Sequence, residues 1–229
     1  MSFESPWELL LQGKFDEACQ SADQAYESTG SLLHLRNKVF ALLNLSRYAD
    51  AVAVASQVID STDGESDSDF ILMGVGQWLQ GCRTEAMATW LKGCSAKFTD
   101  AAGGVEIPLL LGFAASRLAD VELKAEANRL IMPICDSNRS RNWPGPLGLF
   151  VMGKINEEKL LDMVSVRHII KEKQLCQASF YIGLRAQDRG DEVKWHQSFT
   201  ECIKWGRQVI TKQEYYLAKG ELGISGPGL

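Results

Sequence analysis

The sequence predicts an all-α fold, a stack of antiparallel helical hairpins, and three observations carry that prediction. A pattern of a small residue, an aromatic and an alanine returns in Gly13-Lys14-Phe15-Asp16-Glu17-Ala18, in Ser46-Arg47-Tyr48-Ala49-Asp50-Ala51 and in Gly81-Cys82-Arg83-Thr84-Glu85-Ala86. The alanines are 33 and 35 residues apart, at 18, 51 and 86, which is room for one pair of helices and too little for a domain. Between these points apolar residues such as Val39, Leu42, Ala51, Ala55 and Val58 recur at three- and four-residue steps, the period of a helix face.

The elements follow in order along a single domain, residues 1–229. A first hairpin with a short leading helix occupies 5–28 and ends in Ser28-Thr29-Gly30-Ser31. The second spans 32–59, turning at Asn44-Leu45-Ser46, with Ala51 and Ala55 small because paired helices approach closely there. Residues 60–69 hold five acids and no large apolar side chain and read as a loop, its last Ser and Asp residues able to cap a helix starting near Phe70. They lack the ligand series of a calcium loop. A third hairpin covers 70–95 and a fourth 105–133. The stretch 134–150 then places two prolines and two glycines where no long helix can cross. Asn156-Glu157-Glu158 is a capped helix start within an irregular segment 156–170. The last clear hairpin is 173–205, turned at Gly190-Asp191, and a capping helix over 208–221 is expected to cover the exposed end of the stack.

These residues resemble the tetratricopeptide repeat family. Its pattern of small, small, aromatic, Ala, bulky and small positions is matched by Val39, Ser46, Tyr48, Ala51, Ala55 and Val58. A second match is Gly74, Gly81, Arg83, Ala86, Trp90 and Gly93, and a third is Gly183, Gly190, Glu192, Trp195, Phe199 and Cys202. Arg83, Glu192 and Trp195 depart from the pattern. The region from Trp143-Pro144-Gly145-Pro146 to Cys176-Gln177-Ala178-Ser179-Phe180-Tyr181-Ile182-Gly183 is similar to the later part of bacterial adaptors of this family, and stand-alone helical-repeat proteins also serve as toxin-immunity proteins. The resemblance implies a right-handed solenoid whose first helices line a concave, protein-binding face.

Mapped by repeat phase, that face includes Arg36, Phe40, Asn44, Trp78, Phe113, Arg117, Gln187 and Asp188. Aromatic and arginine side chains carry most binding energy at protein interfaces, although Phe40, Trp78 and Phe113 equally suit the inside of a tight superhelix. A second candidate is Arg139, Arg141 and Trp143 on the irregular loop, where Trp143 either meets a partner or plugs the seam between hairpins.

Charge narrows the function. The net charge is −5, and residues 1–70 alone carry 4 basic and 12 acidic groups, a balance of −8 against +4 for residues 128–229 (15 basic, 11 acidic). Nucleic-acid binding calls for the opposite sign, so nucleic acid is not expected as a partner, and a basic protein fits better. No apolar run approaches the roughly 20 residues of a membrane helix, and the first ten residues hold no basic cluster, so a cytoplasmic protein away from membranes is expected. The cysteines at 19, 82, 94, 135, 176 and 202 form no CxxC and are expected as buried thiols, and no metal or cofactor is expected. Histidines 34, 168 and 196 sit in no catalytic motif, so a non-enzymatic protein is expected. The sharpest expectation is an immunity or antitoxin protein that occludes a cognate toxin, the alternative a cytoplasmic adaptor or co-chaperone.

Overall fold

The structure is a computed structural model that describes residues 4–207 and 209–224. Among the described residues the chain forms α-helices only, apart from one 3-10 turn at Asn138–Arg141. In order they are α1 Pro6–Leu11, α2 Phe15–Thr29, α3 Leu32–Asn44, α4 Tyr48–Ser61, α5 Asp67–Leu79, α6 Arg83–Gly93, α7 Glu106–Leu118, α8 Val121–Asp136, α9 Gly145–Val151, α10 Glu157–Asp162, α11 His168–Gln187, α12 Glu192–Gly206 and α13 Gln213–Glu221. Successive helices pack on one another, α2 through α6 in an unbroken series, then α7 on α8 and α11 on α12. The fold is all-α with sequential helix packing.

Local chemistry explains the joints. Each tight turn needs one residue with positive φ: Gly81 supplies it at +86°, and Ser46 meets the same need at +58° without being glycine. Ser5 accepts the Glu8 amide at 3.2 Å while Glu8 accepts the Ser5 amide at 3.0 Å, a reciprocal cap that lets six residues hold as α1. Asn156 accepts the Lys159 amide at 2.9 Å, as a capping asparagine should.

Within the hairpins small residues meet large ones. A Cβ on Gly74 would lie 2.2 Å from Trp90 Nε1, and one on Gly183 would lie 2.5 Å from Phe199. Trp90 is fully buried, and its indole donates to the Ile71 carbonyl at 3.3 Å, so the ring has nowhere to retreat. Gly74→Ala is therefore expected to cost about 1–3 kcal/mol through overpacking, despite alanine's better helix propensity. A lower denaturant midpoint at unchanged slope is the expected reading.

α7 sits deepest. Every residue from Glu106 to Ala115 is buried, which explains why its run IPLLLGFAA shows no polar face.

Several boundaries differ from the sequence reading. α5 begins at Asp67, inside the expected acidic loop, because the loop is tied down from outside. The Asp67 amide donates to the Phe98 carbonyl at 3.0 Å, and the Phe98 amide donates to the Glu65 carbonyl at 2.8 Å. Ser66 makes no side-chain cap, and the Asp67 carboxylate instead accepts the Asp100 amide at 3.2 Å. α8 passes through Pro133 to Asp136, and α11 starts at His168 rather than Lys173. Gln208, the first residue of the expected capping helix, lies outside the described residues. α13 does form; it packs on α12, the second helix of the last hairpin, and also reaches α11 and α5, first helices of their hairpins.

Candidate protein-binding site

α13 is short, yet every residue from Gln213 to Lys219 is buried, so it is surrounded on all sides. Its contacts run across the molecule. Tyr216 Oη accepts from Asn44 Nδ2 of α3 at 2.9 Å, and a Cβ on Gly220 would lie 2.5 Å from Leu79 Cδ2 of α5. Glu221 pairs with Arg117 of α7 at 2.6 Å, and Glu214 accepts from Gln177 of α11 at 3.0 Å. One helix thus joins the first helices of four hairpins. The open groove expected beneath Asn44, Trp78, Phe113 and Arg117 is closed by the chain itself.

The individual site residues follow from that. Arg36 forms a two-point pair with the buried Asp69 at 2.8 and 2.7 Å, which ties α3 to α5. Phe40 is half-buried against the core, and its carbonyl accepts Asn44 Nδ2 at 2.8 Å. Trp78 and Phe113 are buried in an aromatic line that continues to Phe180, with ring centres 5.0 and 5.4 Å apart. Arg117 lies over the Phe113 and Phe199 rings at 5.5 and 5.9 Å and also bonds the Gln187 side chain. Burial pulls its guanidinium pKa down, and Glu221 and Asp188 oppose that pull. Asp188 accepts from Ser116 and from Lys124, the latter at 3.3 Å. The structure therefore brings Arg117, Gln187 and Asp188 together and sets Asn44, on α3, apart from them against Tyr216. Arg139 and Arg141 stand apart, exposed and in no ion pair among the described residues. Trp143 takes the packing role: half-buried, it donates Nε1 to Gln177 Oε1 at 2.8 Å.

Behind Trp143 lies a cluster that the sequence reading missed. Gln177 is fully buried and its Nε2 donates both to Glu106 Oε1 at 2.8 Å and to Glu214 Oε1 at 3.0 Å, so one amide joins carboxylates of α7 and α13. Lys212 Nζ reaches Glu106 Oε1 at 3.0 Å, and Gln213 donates to Glu214 at 3.1 Å. Two sequence signals pointed here. Glu106 stands between Val105 and Ile107 in an apolar run, and Gln177 lies among Cys176, Ala178 and Phe180. A polar side chain inside such a run needs a buried partner.

The cluster titrates unevenly. Burial would raise the Glu106 carboxyl, but the Lys212 charge and hydrogen bond hold it below its ordinary value. Burial pushes Glu214 up to about 7, with Lys212 opposing and Glu106 reinforcing. A native carboxyl that keeps its proton longer than the unfolded chain does contributes stability at low pH and loses it as pH rises. The Glu214 contribution is therefore complete below about 4.5 and falls, by on the order of 3 kcal/mol, as pH climbs to about 7. Glu214→Gln is expected to flatten that part of the stability-against-pH curve, read by urea unfolding at several pH values. A raised carboxyl pKa is also the mark of a catalytic acid, but Glu214 is 0% exposed and no substrate reaches it as the chain stands.

Among the described residues no group of three or more His, Cys, Asp or Glu side chains could hold a metal ion, and no helix is long and apolar enough to cross a membrane. All six cysteines are free thiols. Cys82 and Cys94 are exposed, contrary to the expectation of burial, because both fall at helix ends. No protein-family model matches the chain, and no curated protein does.

Proposed function

We propose that this chain is a tetratricopeptide-like, non-enzymatic protein-binding module that recognises a basic protein through the acidic exterior of its first two hairpins. The observation that carries the reading is the occupancy of the first-helix face by α13. Displacing α13 would expose Tyr215, Tyr216 and Leu217, each worth about 1.5–3 kcal/mol when buried. A partner that had to do so would lose on the order of four decades in affinity. Docking on the outside costs nothing comparable.

That outside is acidic. Asp16, Glu17 and Glu27 on α2, with Asp60 and Asp63 at the end of α4, are exposed and in no ion pair among the described residues. Glu4, Asp23, Asp50 and Glu65 have lysine or arginine partners and contribute less. Five uncompensated carboxylates in one half of the chain steer a basic partner and speed encounter, and their effect is screened over about 8 Å at physiological salt. An immunity protein that covers the catalytic surface of a basic toxin is the role that fits this best, with stoichiometric occlusion as its mechanism.

The test is binding to, and neutralisation of, a basic toxin encoded beside this chain. Wild-type protein is expected to inhibit it at one-to-one stoichiometry. The variant with all five acids changed to lysine is expected to associate about a hundredfold more slowly at low salt and to lose most of the salt dependence. Unchanged association by that variant, with its fold intact, refutes the acidic-exterior reading.

A further inference from the structure

A cavity of about 470 Å³ opens beside the buried cluster, between the start of α5, the 98–106 segment, Trp143, α11 and Lys212. The protein-binding reading leaves it without a role. Phe98 and Ile170 give it an exposed apolar rim, while its interior carries charge.

Two of those charges have no oppositely charged partner among the described residues. Asp67, from α5, is buried; burial followed by Glu106 and Asp100 pushes its carboxyl up to about 6, opposed by the Asp100 and Ser68 amides and by no cation. Lys173, from α11, is half-buried and in no ion pair among the described residues; burial followed by the Lys212 charge lowers its pKa, with no carboxylate opposing. Lys212 does not supply the missing partner for Asp67, because its ammonium pairs with Glu106. Asp67 and Lys173 line the same cavity and form no ion pair with each other. Next to Lys173, Gln174 also lines the cavity; it accepts the Ser165 amide with Oε1 at 2.6 Å, which leaves Nε2 as a donor that a ligand can meet. A charge held partly out of water without an opposite charge is costly.

We propose that this cavity binds a small apolar zwitterion, an α-amino acid or a dipeptide, with its ammonium on Asp67, its carboxylate on Lys173 and Gln174 Nε2, and its side chain against Phe98 and Trp143. A zwitterion satisfies all three groups at once. A simple anion would leave Asp67 uncompensated and add charge near Glu106 and Asp100, and a simple cation would leave Lys173 and Gln174 as they are. The size agrees as well, since a cavity of this volume has room for an amino acid or a dipeptide under an apolar rim with a few convergent polar groups.

The proposal is tested by calorimetric titration of the whole chain at neutral pH with L-phenylalanine, glycyl-phenylalanine, phenylalaninamide and N-acetylphenylalanine. One of the first two is expected to bind at one-to-one stoichiometry, and the tighter of them identifies the occupant as amino acid or dipeptide. Capping either end is expected to weaken binding by about tenfold or more. Lys173→Gln should erase the preference over phenylalaninamide, and Asp67→Asn the preference over the N-acetyl compound. Asp67 also accepts the Asp100 amide, so circular dichroism checks that variant's fold; Lys173→Gln breaks no internal ion pair and decides the matter alone if the other unfolds. Absence of binding by both zwitterions up to about 10 mM, or equal binding of the capped and uncapped forms, overturns the proposal.

Discussion

Tyr216→Ala is expected to lower stability by about 4 kcal/mol and to loosen α13 before the rest of the chain unfolds. The ring is 2% exposed, and truncating a buried aromatic costs about 3–5 kcal/mol in lost transfer energy and in the cavity left behind. The hydroxyl matters too. It accepts from Asn44 Nδ2 and donates to the Ile210 carbonyl, so alanine leaves that carbonyl without this donor and Asn44 Nδ2 with the Phe40 carbonyl as its one remaining acceptor. Tyr216→Phe separates the two contributions: it keeps the ring and is expected to cost about 1–2 kcal/mol. Urea unfolding gives the totals. Amide exchange across residues 213–221, faster in the alanine variant than in the first two hairpins, shows where the loss falls.

Lys212→Met is expected to be nearly as damaging, at about 3–5 kcal/mol, for an electrostatic reason. Glu106 is buried in the middle of the molecule and stays ionised because Lys212 faces it at 3.0 Å. Removing the lysine leaves the carboxylate near Glu214 with only neutral amides for company, and an uncompensated buried charge costs far more than the pair itself is worth. The remedy is specific. Glu106→Gln on the Lys212→Met background removes the orphaned charge and is expected to restore most of the loss, giving a coupling of about 2 kcal/mol or more in a double-mutant cycle. Additive losses would mean that Lys212 acts through packing of its stem alone.

How much of this was legible in the sequence depends on the range of the interaction. Helices and turns are local, so the periodic apolar positions and the residues at Gly81, Ser46 and Asn156 marked them well. The pairing of Gly74 with Trp90 is a contact within one hairpin, and the repeat phase placed those two residues in matching positions. The position of α13 is another matter. Its residues, Tyr215, Tyr216 and Leu217 among them, identify a buried helix, but nothing local says which surface buries it, because its partners are Asn44, Leu79, Arg117 and Gln177, up to 172 residues away in the chain. Phase arguments chose Trp78, Phe113 and Arg117 as a binding face because those side chains do point to a common surface. They could not say that the surface was already filled. Charge was misleading in a similar way: Asp67 and Asp69 read as parts of a solvated loop, while their carboxylates are buried and one anchors Arg36.

The central claim is that α13 stays in place on the first-helix face while partners meet the acidic exterior. Native-state amide exchange of α13, measured in the free protein and again with a basic partner bound, tests it most directly. The account predicts that residues 213–221 keep the protection of the global core in both states, and that new protection appears on α2 and at the end of α4. Loss of α13 protection on binding, with new protection on α3, α5 and α7, would contradict it, because the partner would then be taking the place of the chain's own helix.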